Sequence, residues 1–148
     1  MSTVLLAAHV VAAVFVIGPM AILPMAGLRE IRRSRAAPLS AIASASLLFS
    51  LMSLAVFVLG FAVLATARTR EPLSVTTPWV AASIIIYLVA TSLSLFVTVP
   101  SLTSEARRLS EPLPVPDASA RAYRTVAASS GATAVGLVVI TVLMVWQP

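Results

Sequence analysis

Charged residues fall in three short stretches of this chain, and four uncharged, mostly apolar runs lie around them at 3–27, 39–67, 78–99 and 125–146. Each run exceeds the roughly 20 residues that a helix needs to cross a hydrocarbon core about 30 Å thick. Lipid offers backbone polar groups no outside partner, and the runs lack the period-two alternation of strands, so each predicts a transmembrane helix. Small and hydroxylated residues recur within them at helical spacing. The second run places Ala43, Ser46, Ser50, Ser53, Phe57 and Gly60 along one stripe, and the third places Ser83, Tyr87, Thr91, Ser94 and Thr98. The fourth offers Ala128, Ala132 and Gly136 at intervals of four. Helices associate in lipid through small residues and a few hydrogen bonds, so these stripes are expected to face inward together. Ser46, Ser50, Ser53, Gly60, Ala128, Ala132 and Gly136 are the expected packing residues. The resulting fold is all-α, one antiparallel four-helix transmembrane bundle filling residues 1–148.

Composition strengthens that picture. Hydrophobic residues make up 59% of the 148, charged residues 10%, and mean hydropathy is +1.04, too apolar for the surface of a soluble domain of this size. The net charge of +5 comes from ten arginines that border the spans, which points to orientation and anionic lipid rather than to nucleic acid. Eight of the ten lie in the first and third loops, and the positive-inside rule makes that side cytoplasmic and leaves both termini outside. Arginine without lysine, together with alanine-rich spans, points to a GC-rich bacterial genome, and the protein is expected in the bacterial inner (cytoplasmic) membrane. The first run has no preceding basic region and is long enough to span, so it is expected to be a retained helix rather than a signal. Pro19 and Pro24 are expected to bend or loosen its inner half. In the third loop, Pro112, Pro114 and Pro116 alternate and predict an extended segment.

Reactive groups are few. The chain has no cysteine and one histidine, His9, about 9 Å below the outer edge of the first span at 1.5 Å per residue. At that depth the bundle is expected to bring Gly60, Ser83, Tyr87 and Thr141, and the last three can offer hydroxyls to an imidazole. His9, Ser83, Tyr87 and Thr141 are therefore the candidate polar pocket or ligand site. Zinc needs several ligands, so no metal site is expected from these residues alone. A haem b held by His9, with Met52, Met144 or a second subunit's His9 as the other axial ligand, or a copper at His9, is the cofactor alternative. Carboxylates lie outside the spans and none pairs with His9, which argues against acid–base or nucleophilic catalysis.

The stretch "LLAAHVVAAVFVIGP", with His9, Ala12, Ala13 and Gly18, resembles the first helix of a family of bacterial four-helix integral membrane proteins that carry a domain of unknown function. The ending "LMVWQP" is similar to theirs as well. More distantly, the first helix is similar to those of the copper-resistance D membrane domain and the bacterial membrane-bound protoporphyrinogen oxidase. Those relatives imply copper or tetrapyrrole handling with the first-helix histidine as a key residue. The chain departs from the oxidase in having no second histidine, and in having Gln147 where a terminal lysine is expected. The leading expectation is a non-catalytic structural or accessory subunit of a larger membrane assembly, with the lipid bilayer and other membrane subunits or its own copies as partners. A haem- or copper-handling protein using His9 is the first alternative. A small transporter with a Ser/Thr/Tyr-lined interior is the second.

Overall fold

The computed structural model describes residues 2–66, 77–111 and 116–146, with the side chains of Ser2 and of residues 116–118 left aside. Among them the protein is all-α. The elements are α1 (Ser2–Arg32), α2 (Ala36–Thr66), α3 (Pro78–Leu93), a π-helical turn (Ser94–Thr98), α4 (Val99–Leu109) and α5 (Pro116–Trp146). Since α3, the π turn and α4 are continuous, four helices of 30, 31, 32 and 28 residues are long and apolar enough to cross a membrane. At 1.5 Å per residue they measure about 42–48 Å, so they outrun the hydrocarbon core and carry their ends into the headgroup layers.

The helices are longer than the uncharged runs that announced them. Helical hydrogen bonding continues wherever the backbone permits, whatever the side-chain charge, so α1 includes Arg29, Glu30 and Arg32, and α4 runs through Glu105, Arg107 and Arg108. The first arginine-rich loop shrinks to residues 33–35. Arg35 N donates to Glu30 O and Ser34 N to Ile31 O, both at 3.1 Å, while Ser34 takes a left-handed φ of 52°. This is the Schellman closure of a helix C-terminus, with serine where glycine is usual. Pro116 opens α5 instead of belonging to an extended segment, while Pro112 and Pro114 lie outside the described residues, as do Arg68 and Arg70.

Prolines act differently in the first and third spans. α1 stays helical through both Pro19 and Pro24. In the third span, Pro100 brings no N–H to the Phe96 carbonyl and its ring would press on it. The turn just before it is wide: Val99 N–H reaches back five residues to Ser94 O. Ser94, Thr98 and Leu102, at spacings of four, share one buried face through the wide turn.

α1 lies between α2 and α5, and the third span closes the ring by packing on α2 and α5. Across α2 and the third span, Ser53 meets Tyr87 and Ser50 meets Ser94; across the third span and α5, Thr98 meets Ser129 and Ala90 meets Thr133. The numbering runs in opposite senses in both pairs. At the arginine-rich end Ile31, Leu39, Ala43, Leu102, Ala106 and Val126 form an apolar core. Gly27 admits Leu102 there, because a Cβ on it would lie 2.8 Å from Leu102 Cδ2.

Candidate functional site

The bundle interior is built from hydroxyls, each placed by the helical repeat of its own element. Ser46, Ser50 and Ser53 on α2, Ser83, Tyr87 and Thr91 on α3, and Ser94 and Thr98 on the π turn are all buried. Ser50 Oγ and Ser94 Oγ lie 2.7 Å apart. Ser53 Oγ donates to the Ser50 carbonyl at 2.7 Å, so its single proton is committed and the 2.9 Å bond to Tyr87 is donated by the phenol. The Tyr87 ring stacks on Phe57, with centroids 4.4 Å apart and planes 10° off parallel. Further along, Ser129 Oγ donates to Thr125 O at 2.9 Å and accepts from Thr98 Oγ1 at 2.8 Å. Thr133 Oγ1 donates across the helix pair to Ala90 O at 3.4 Å. The Ser46 and Thr91 hydroxyls are buried without a partner.

His9 is half-buried on α1 and meets α2 where sequence spacing places it, at Gly60. A Cβ on Gly60 would lie 3.2 Å from His9 Cε1 and 3.8 Å from each ring nitrogen, so the glycine makes room for the imidazole. His9 Nδ1 is buried and has no hydrogen-bond partner. The three hydroxyls expected to serve it are engaged elsewhere. Tyr87 bonds to Ser53, Ser83 Oγ donates to the Trp79 carbonyl at 2.8 Å, and Thr141 Oγ1 to the Leu137 carbonyl at 2.9 Å. Thr141 is also exposed, so it does not enter the interior. A hydroxyl one turn above a helical carbonyl satisfies itself locally, and that option outcompetes a contact across the bundle.

The expected packing residues divide in the same way. Ser46, Ser50 and Ser53 are fully buried, and Gly136 faces Ile86, whose Cγ2 would be 3.2 Å from an added Cβ. Ala128 and Ala132 are exposed; the inward face of α5 is instead Val126, Ser129, Ser130, Thr133 and Leu137. Both faces of α5 are rich in small residues, so spacing alone did not separate them.

Three features stand outside the polar stripes of the spans. Glu105 is 2% exposed, accepts from Ser119 Oγ at 2.5 Å and pairs with Arg108 at 3.2 Å. The Arg32 guanidinium sits 4.6 Å from the centroid of the Tyr123 ring, tying the end of α1 to α5. Glu30 pairs with Arg35 at 3.4 Å and, more loosely, with Arg33 at 4.0 Å. The signal that could have found Glu105 is its place one turn beyond Leu102 on the third span's inward face.

Among the described residues no group of three His, Asp or Glu side chains could hold a metal. For a haem or copper, the orphaned Nδ1 of His9 fits a ligand, but Met52 and Met144, 44% and 41% exposed, belong to the outer surface. One chain therefore supplies one interior ligand, and the other has to come from its surface or from another molecule. A family model described as predicted integral membrane protein (DUF2269) matches residues 3–148. No curated protein and no solved structure matches the chain.

Proposed function

The chain belongs to the DUF2269 family of predicted integral membrane proteins, and from that premise we propose that it is a non-catalytic structural or accessory subunit of a larger membrane assembly. The carrying observation is that hydroxyls on facing helices bond to one another inside the bundle. Ser50 with Ser94, Ser53 with Tyr87 and Thr98 with Ser129 satisfy one another, as a packing device requires. Recognition then falls to the outside, where Val4, Phe15, Val58, Phe96 and Val145 are among the strongly exposed apolar side chains. The protein sits in the bacterial inner membrane with both termini outside. Arg32 packed on Tyr123 supports this, because it brings the first and third arginine-rich segments to one end of the bundle.

A second reading rests on one atom. The buried, unpartnered Nδ1 of His9 is a lone pair or N–H facing a site that Gly60 holds open, which favours a haem b or copper ligand. A mild detergent extraction from haem-replete cells separates the readings. A subunit co-purifies in fixed ratio with a larger membrane protein, and His9→Ala leaves that ratio intact. A Soret band that His9→Ala abolishes would replace the subunit reading with the ligand reading. Elution of a colourless monomer alone, free of copper by elemental analysis, would overturn both.

A further inference from the structure

Ala120, Arg121, Arg124, Thr125 and Ala128 occupy positions i, i+1, i+4, i+5 and i+8, one face of α5. They line an open groove of about 600 Å3. Its two guanidinium groups are uncommitted. Arg33 and Arg35 face Glu30, Arg108 faces Glu105 and Arg32 covers Tyr123, whereas Arg121 and Arg124 are exposed and make no ion pair or hydrogen bond among the described residues. The Thr125 hydroxyl is equally without a partner there. Beyond the groove the same face continues as Ala132, Val135, Val139 and Val142, all exposed and apolar. The uncharged run begins at Thr125, so the arginines stand at headgroup level and the alanines and valines at acyl depth.

We propose that this face of α5 is a binding site for an anionic phospholipid. The phosphodiester sits between Arg121 and Arg124, with the Thr125 hydroxyl as a third donor, and one acyl chain lies along Ala128, Ala132 and Val135. Guanidinium forks match phosphate oxygens in geometry as well as charge. The methyl side chains of Ala128 and Ala132 leave a trough that larger residues would fill. A zwitterionic lipid carries its own cation beside the phosphate and gains less from the two arginines. A second copy of the chain is the poorer occupant, because pairing this face with itself about an axis along the bilayer normal would oppose the same arginines. The exposure of Ala128 and Ala132 is then a lipid contact.

The test uses the full chain in neutral detergent, titrated separately with dioleoyl phosphatidylglycerol, dioleoyl phosphatidylcholine and inorganic phosphate, with bound lipid counted by native mass spectrometry. One phosphatidylglycerol per chain is expected to bind in preference to phosphatidylcholine. The double variant Arg121→Gln/Arg124→Gln should weaken it about thirtyfold, about fivefold per arginine. Arg107→Gln, an exposed arginine at the same end, should change it less than twofold, and Ala128→Leu should weaken it by obstructing the trough. Because the substituted arginines are exposed and make no ion pair among the described residues, the double variant is expected to keep the wild-type unfolding temperature in lipid-free detergent. Equal binding of phosphatidylcholine, an unaffected double variant, or an equal loss in Arg107→Gln would overturn the site. Phosphate competing at matched concentration would reassign it to a soluble anion. A wild-type dimer broken by Ala128→Leu irrespective of lipid would reassign it to a second copy.

Discussion

A hydroxyl has one proton, and that constraint orders the pair at the centre of the bundle. Ser53 gives its proton to the Ser50 carbonyl and can only accept from Tyr87, which donates. Tyr87→Phe removes the donor and leaves Ser53 with its backbone bond, a loss of about 0.5–1 kcal/mol. Ser53→Ala removes the acceptor and strands a buried phenolic hydroxyl, which costs about 1–3 kcal/mol. Ser53→Ala is therefore expected to lower the unfolding temperature in detergent more than Tyr87→Phe, although each deletes a single oxygen. The opposite order would mean that the phenol finds another acceptor. At this scale much could be read from spacing alone. Every hydroxyl assigned to the third-span stripe is buried, and His9 does meet Gly60. What could not be read was the partner of each hydroxyl, because the choice between a carbonyl on the same helix and a group on the next depends on ångström-level approach.

At the scale of elements, helix ends are set by backbone geometry more than by side-chain polarity. No glycine marks the end of α1, yet Ser34 closes it at φ 52°, a conformation that costs a non-glycine residue about 1 kcal/mol. Ser34→Gly is expected to stabilise the protein by up to that amount, seen as a higher unfolding temperature at unchanged helix content. Destabilisation would show that the serine side chain contributes something that glycine cannot replace. The π turn follows the same logic. Pro100 cannot donate to the carbonyl four residues back, and the turn before it is wide, with Ser94, Thr98 and Leu102 on its buried side.

Across the whole molecule, polarity is distributed along the bundle axis. The arginine-rich end holds the apolar core of Ile31, Leu39, Leu102 and Val126, with Glu30 and Glu105 folded in beside their arginines. The middle holds the hydroxyls. The proposed orientation is open to direct labelling, since the chain has no cysteine of its own. In intact cells an impermeant maleimide is expected to modify Thr3→Cys, and to reach Ser104→Cys only after permeabilisation. The reverse pattern would turn the arginine-rich end outward and defeat the positive-inside assignment.

The number of spans and their approximate positions, the all-helical class and the inward stripes of the second and third spans were legible in the chain, because lipid imposes one-dimensional rules. A backbone in hydrocarbon must bond to itself, and about 20 apolar residues suffice to cross. The inward face of α5 was not legible, since alanine and glycine recur on several of its faces and only the neighbours choose between them. The burial of Glu105, the closeness of Gly27 to Leu102, the closure at Ser34 and the arginine-lined groove of α5 depend on which helices touch and at what depth. Those contacts join residues far apart in the chain, and no local pattern encodes their distances.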